Sequence, residues 1–139
     1  MAANAGAEQG LSKLSLTYVE PHVFVTDFGR SLAFYTDVLG FKVAFTYGEP
    51  PFFGQVVRDA AVLNLRFVDN PILDRSNDRD LLSATIGVSD ASMLFLEFQA
   101  RGAPFHQILR RQPWHDAGQG DFIVEDPDGN LIDFGGPTD

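Results

Sequence analysis

Residues 126–134 read Asp126-Pro127-Asp128-Gly129-Asn130-Leu131-Ile132-Asp133-Phe134. Proline in the second place holds φ near about −65° and glycine in the fourth accepts a positive φ, so Asp126–Gly129 suits a type I turn with a bulge closing a hairpin. Leu131 to Phe134 is then the returning strand, and Asp121 to Glu125 the strand that enters the turn. Backbone geometry explains every turn residue, so the motif taken alone is a β-turn.

Working back from it, Phe105 to Leu109 reads as another strand. Leu81 to Val88 reads as a strand that leads into a helix capped by Asp90 or Ser89, running through Arg101 with Leu94 and Phe98 on one face and ended by Gly102. The same order occurs upstream. Leu16 to Val25 is β-branched and aromatic, with Glu20, His22 and Phe24 on one face and Val19, Val23 and Val25 on the other. Asp27 offers a helix cap, and Phe28, Leu32, Tyr35 and Leu39 recur at helical spacing before Gly40. Phe41 to Tyr47 reads as a strand, and Phe52 to Arg58 and Val62 to Val68 as a hairpin turning at Asp59-Ala60-Ala61. Cap and terminator recur one deletion apart, since 90 − 27 is 63 and 102 − 40 is 62. This register points to an internal duplication, although sequence identity between the halves is low.

The expected fold is therefore α+β, with two tandem β-α-β-β-β modules at about 14–69 and 81–136. A connector at 69–80, rich in Asp and Asn, joins them, and residues 1–13 form a flexible leader. The 139 residues carry 10 Lys plus Arg against 19 Asp plus Glu, a net charge of −9, which offers no basic surface for nucleic acid. Cysteine is absent, which excludes disulfides, thiolate metal sites and cysteine nucleophiles. No run of apolar residues is long enough for a membrane span and no secretory signal is present, so a cytoplasmic location is expected. Phosphate-loop, dinucleotide, nucleophile-elbow and HExxH motifs are all missing.

The two modules, the first helix Asp27-x-x-x-Ser31-Leu32-Ala33-Phe34-Tyr35-x-Asp37-Val38-Leu39-Gly40-Phe41 and the terminal DPDGNLIDF together resemble the vicinal oxygen chelate superfamily over about residues 16–136. That superfamily includes glyoxalase I, extradiol dioxygenases, fosfomycin-resistance enzymes and bleomycin-resistance proteins. The resemblance implies a cupped mixed sheet around a cleft, paired in a homodimer. It also implies metal-ligand positions on four strands, which fall at Glu20, Asn64, Ser83 and Asp133. No imidazole stands at any of them. Two carboxylates, an amide and a hydroxyl form a hard oxygen set that suits at most a weakly bound divalent cation, so no cofactor is expected. Glyoxalase-like lyase, dioxygenase or transferase chemistry needs the ion as Lewis acid and is the alternative reading.

Pro21, Arg101-Gly102 and Pro113-Trp114 ahead of Phe122 resemble the bleomycin-resistance-like members, whose cleft sequesters bulky, often cationic compounds. The resemblance thus implies an antibiotic-resistance type of protein that binds a small aromatic or cationic molecule without turnover, with no nucleic acid or membrane partner. Its candidate ligand-binding residues are Glu20, His22, Phe24, Phe52, Phe53, Asn64, Ser83, Trp114, Phe122 and Asp133, with Phe45 beside them. His22 shares the Glu20 face, where a displaced ligand, a general base and a polar contact are all open to it. His106 and His115 are expected to be exposed.

Overall fold

The computed structural model describes residues 13–74, 81–111 and 118–138. The first half contains β1 (His22–Val25), α1 (Phe28–Ala33) continued by a π-helical turn (Phe34–Val38), β2 (Lys42–Tyr47), β3 (Phe53–Arg58) and β4 (Ala61–Phe67). The second contains β5 (Leu82–Gly87), α2 (Ala91–Ala100), β6 (Phe105–Arg111), β7 (Gln119–Glu125) and β8 (Leu131–Pro137). Each half forms a four-stranded mixed sheet, ordered β1-β4-β3-β2 and β5-β8-β7-β6. These orders are the same once the second set is renumbered, so the duplication extends from sequence to topology. In each sheet the first strand pairs parallel to the last, and the other pairings are antiparallel.

One core joins the helical faces of both sheets. Val23, Val25, Val56, Leu63 and Leu65 pack with Tyr35 and Leu39, while Phe122, Val124, Ile132 and Phe134 pack with Phe98. Asp27 and Asp90 cap the two helices, their carboxylates accepting the N–H of Arg30 (3.1 Å) and Met93 (3.0 Å). Gly40 and Gly102 end them at φ of 75° and 77°, which a side chain on Cα disfavours.

Three local expectations change. The first strand begins at His22, not Leu16, and Leu14, Leu16, Tyr18 and Val19 are exposed. Pro21 accounts for the late start: its carbonyl accepts the Asn64 N–H at 2.9 Å, but it has no N–H to return to the ladder. The first helix widens at Phe34, where the Leu39 N–H reaches the Phe34 carbonyl at 3.2 Å. Thr36 contributes by donating its hydroxyl to the Leu32 carbonyl at 2.9 Å, in competition with the helical ladder. Finally, β6 continues to Arg111 and β8 to Pro137, past the ends read from the apolar runs. Residues 1–12 of the leader and 75–80 of the connector lie outside the described residues.

The DPDGN turn braces the two halves. Asp126, 4% exposed, accepts the Asp128 and Asn130 N–H groups on one oxygen (2.9 and 2.8 Å). Its other oxygen accepts the Tyr35 hydroxyl and the Asn130 amide, both at 2.9 Å. Asp128 accepts the Thr26 N–H at 3.1 Å and the Thr26 hydroxyl, and lies 3.5 Å from Arg30. The turn of the second half thus closes the helix start of the first.

Candidate functional site

The face of each sheet that points away from the helices carries the candidate site. On β1, alternation buries Val23 and Val25 and leaves His22 and Phe24 on the open face. The two-residue turn Asp59–Ala60 pairs Arg58 with Ala61, and this register sets Gln55 opposite Asn64. The parallel pairing of β1 with β4 sets His22 beside the same Asn64.

A hydrogen-bonded cluster follows. The Asn64 amide, 3% exposed, donates to Glu20 Oε1 at 2.9 Å and lies 3.3 Å from His22 Nε2. Gln55 donates to Asn64 Oδ1 at 3.0 Å and to the same Glu20 oxygen at 3.2 Å. Next to it lies an aromatic patch, with the rings of His22 and Phe53 6.0 Å apart and those of Phe53 and Phe45 6.1 Å apart. Phe52 stacks edge-on against Tyr47 at 5.6 Å and is 47% exposed at the rim of the hairpin.

On the second sheet the centre is Asp133. The Thr85 hydroxyl donates to its Oδ2 at 3.3 Å, and its buried Oδ1 has no donor among the described residues. The register β7–β8 pairs Ile123 with Asp133 and Asp121 with Gly135, which sets Asp121 diagonally across from Asp133 on the same face. Burial, and then the hydrogen bond and charge of Asp121, push the Asp133 carboxyl up to about 6. Arg110, 3.4 Å from Asp121, offsets part of the repulsion.

The candidate residues therefore divide. Glu20, His22 and Asn64 are in one cluster, Phe53 touches it, Phe24 shares its face by alternation, and Phe52 lies at the hairpin rim. Asp133 centres the other cluster. The hydroxyl that meets it is that of Thr85, because the ladder shifts register between Leu82 and Ala84, around Ser83. Phe122 requires correction as a ligand contact: it faces the helical core, is 1% exposed and stacks on Phe134 at 5.5 Å. Its strand parity with Val124 in the core, opposite to Asp121 and Ile123, accounts for this. Trp114 and His115 lie outside the described residues, and His106 is exposed, 3.6 Å from Glu125. Gln55, Thr85, Asp121 and Arg110 join these clusters in addition to the residues the sequence points to. Hairpin arithmetic from the two turns identifies Gln55 and Asp121 once the turn residues are fixed.

The placed donors do not fit a divalent ion of the kind the fold family uses. Glu20 Oε1 already accepts the Gln55 and Asn64 amide N–H groups, at 3.2 and 2.9 Å. Asp133 is paired with another carboxyl rather than with an imidazole. No group of three or more His, Asp or Glu side chains among the described residues is arranged to hold a metal. No helix among them is long and apolar enough to cross a membrane.

Comparison with known proteins gives a consistent picture. The sequence model of the Glyoxalase/Bleomycin resistance protein/Dioxygenase superfamily matches residues 15–134. No curated protein sequence matches. Similar solved structures include TioX from Micromonospora sp. ML1 (20% identity, TM-score 0.69, covering 88% of this chain and 99% of that one). A second is the bleomycin-binding protein of Streptomyces verticillus in complex with copper(II)-bleomycin (24%, 0.65, 87% and 96%). A third is TnmS3, an antibiotic-binding protein from Streptomyces sp. CB03234 (22%, 0.61, 90% and 99%). At these identities the likeness shows the fold.

Proposed function

Because the chain belongs to the glyoxalase/bleomycin resistance protein/dioxygenase superfamily, we propose that it binds and sequesters a small aromatic or cationic molecule on the open faces of its sheets, without turnover. The observation that carries this reading is the pairing of an aromatic patch, His22, Phe45 and Phe53, with carboxylates held by amides and hydroxyls instead of imidazoles. Aromatic faces attract planar and cationic groups, at about 0.5–2 kcal/mol per well-placed cation. Asp133 adds to this reading, because a carboxylate raised by burial and by the charge of Asp121 gains from a nearby cation. The antibiotic-binding members of the fold add to it.

The same reading takes the protein as a cytoplasmic homodimer whose open faces meet across the interface. Its support is the outer strand β2, exposed along its whole length with Val43, Phe45 and Tyr47 at the surface. An apolar edge of this kind favours a covering partner.

Titration with bleomycin, followed by quenching of the single tryptophan Trp114, tests the ligand class. Saturable quenching is expected, with weaker binding in Glu20→Gln and Asp133→Asn. Unchanged affinity in both amide variants would remove the carboxylates from the site. Elemental analysis of protein purified without chelator should find no stoichiometric divalent ion, and one ion per site would overturn the sequestering account in favour of a metal-dependent enzyme.

A further inference from the structure

The duplication is unequal at the turns that cross between the halves, and a cavity of about 850 Å³ lies at one of them. In one direction the five-residue turn 126–130 of the second half reaches the helix start of the first half and bonds to Thr26, Arg30, Ser31 and Tyr35. In the other direction the β3–β4 turn is only Asp59–Ala60. Adding the repeat offset of 63 converts Thr26, Arg30, Ser31 and Tyr35 into Ser89, Met93, Leu94 and Phe98. Those four line the cavity, together with Asp59 and Ala60. A polar socket filled by a turn in one half has become, in the other, a mainly apolar one that no turn of the described residues fills.

We propose that this cavity is a second binding site, taking an uncharged, predominantly apolar small molecule, and distinct from the open faces of the sheets. Its volume is in the range of roughly 300–1,000 Å³ usual for ligand pockets. Phe41, Ile86 and Phe134 complete apolar walls. Among the described residues the one cation on its wall is already used: the Arg58 guanidinium donates to both oxygens of Glu97 at 2.8 and 2.9 Å and to the Leu39 carbonyl at 2.9 Å. The helix start at its mouth is closed by Asp90. With Asp59 and Asp90 also at the lining, an anionic ligand is disfavoured.

Fluorescence titration of the full chain with N-phenyl-1-naphthylamine, a neutral probe, tests this. Saturable binding near one probe per chain is expected, with its sulfonated analogue 1-anilinonaphthalene-8-sulfonate binding more weakly. Leu94→Ser, which restores the polar residue type of the first half, should weaken the probe by at least about tenfold. Ala60→Trp, at an exposed turn position, should fill the cavity from outside and do the same, which keeps the test decisive if the Leu94 variant does not fold. Phe53→Ala should leave probe affinity unchanged. Non-saturable binding, unchanged affinity in a folded cavity variant, preference for the sulfonate, or loss of binding in Phe53→Ala would each overturn the proposal. Loss of binding in Phe53→Ala would place the probe on the open faces, and the other outcomes leave ligand binding there untouched.

Discussion

Replacing Asp133 with Asn should make the protein more stable at neutral pH. The carboxyl is 9% exposed, lacks a donor on Oδ1 and faces Asp121, and its value rises from the usual 3.8 to about 6. The folded chain therefore holds a proton between about pH 4 and 6 that the unfolded chain has released. Stability from this group is complete below pH 4 and is lost as pH rises through 6. A gap of about two pH units at 1.36 kcal/mol each sets a ceiling of about 3 kcal/mol, with about 1–2 kcal/mol expected once solvent and Arg110 screen the pair. Asparagine removes this cost and keeps an acceptor for Thr85, while its N–H₂ can donate to Asp121. Urea denaturation of both proteins from pH 4 to 8 measures the effect. The variant should gain about 1–2 kcal/mol at pH 7.5 and nothing at pH 4. An equal or lower stability at pH 7.5 would mean that Asp133 ionises freely and that the buried pair has been misread.

Tyr35→Phe should cost about 2 kcal/mol in the same assay, because it removes a donor from the buried Asp126 carboxylate at the brace between the halves; a loss under 0.5 kcal/mol, marginal on the scale of a typical hydrogen bond at about 1 ± 0.5, would show that the remaining donors suffice. Gly136→Ala should leave little folded protein, since its Cβ would lie 1.8 Å from the Val88 carbonyl oxygen; a circular dichroism spectrum and melting point like those of the parent would contradict the β5–β8 packing. The proposed dimer should sediment as a monomer in Val43→Glu with Tyr47→Glu, without unfolding, and a dimer that persists would place the interface elsewhere.

Much of the fold is legible because turns and caps are local. Asp27, Asp90, Gly40, Gly102 and the DPDG turn fix where helices begin and end and where a hairpin returns, and alternation correctly places His22 opposite Val23. The misreadings arise where pairing, not local preference, decides. Leu16 to Pro21 has strand composition, but Pro21 interrupts the ladder, and the helix register beyond Ala33 depends on Thr36 competing for a carbonyl. At the site, Glu20, Asn64 and Asp133 follow from family resemblance, whereas Gln55 and Asp121 emerge only from hairpin register. Phe122 belongs to the core because it shares strand parity with Val124, which outranks its closeness to the turn motif. The socket under Asp59–Ala60 depends on how the two halves pack in three dimensions and has no local signal in the sequence.

A crystal structure grown with bleomycin is the most direct test. Density for the compound is expected on the open faces, with a ring against Phe45 and Phe53 and a positively charged group within reach of Asp133. A divalent ion bound between Glu20 and Asp133, or a compound seated away from both clusters, would contradict sequestration at this site.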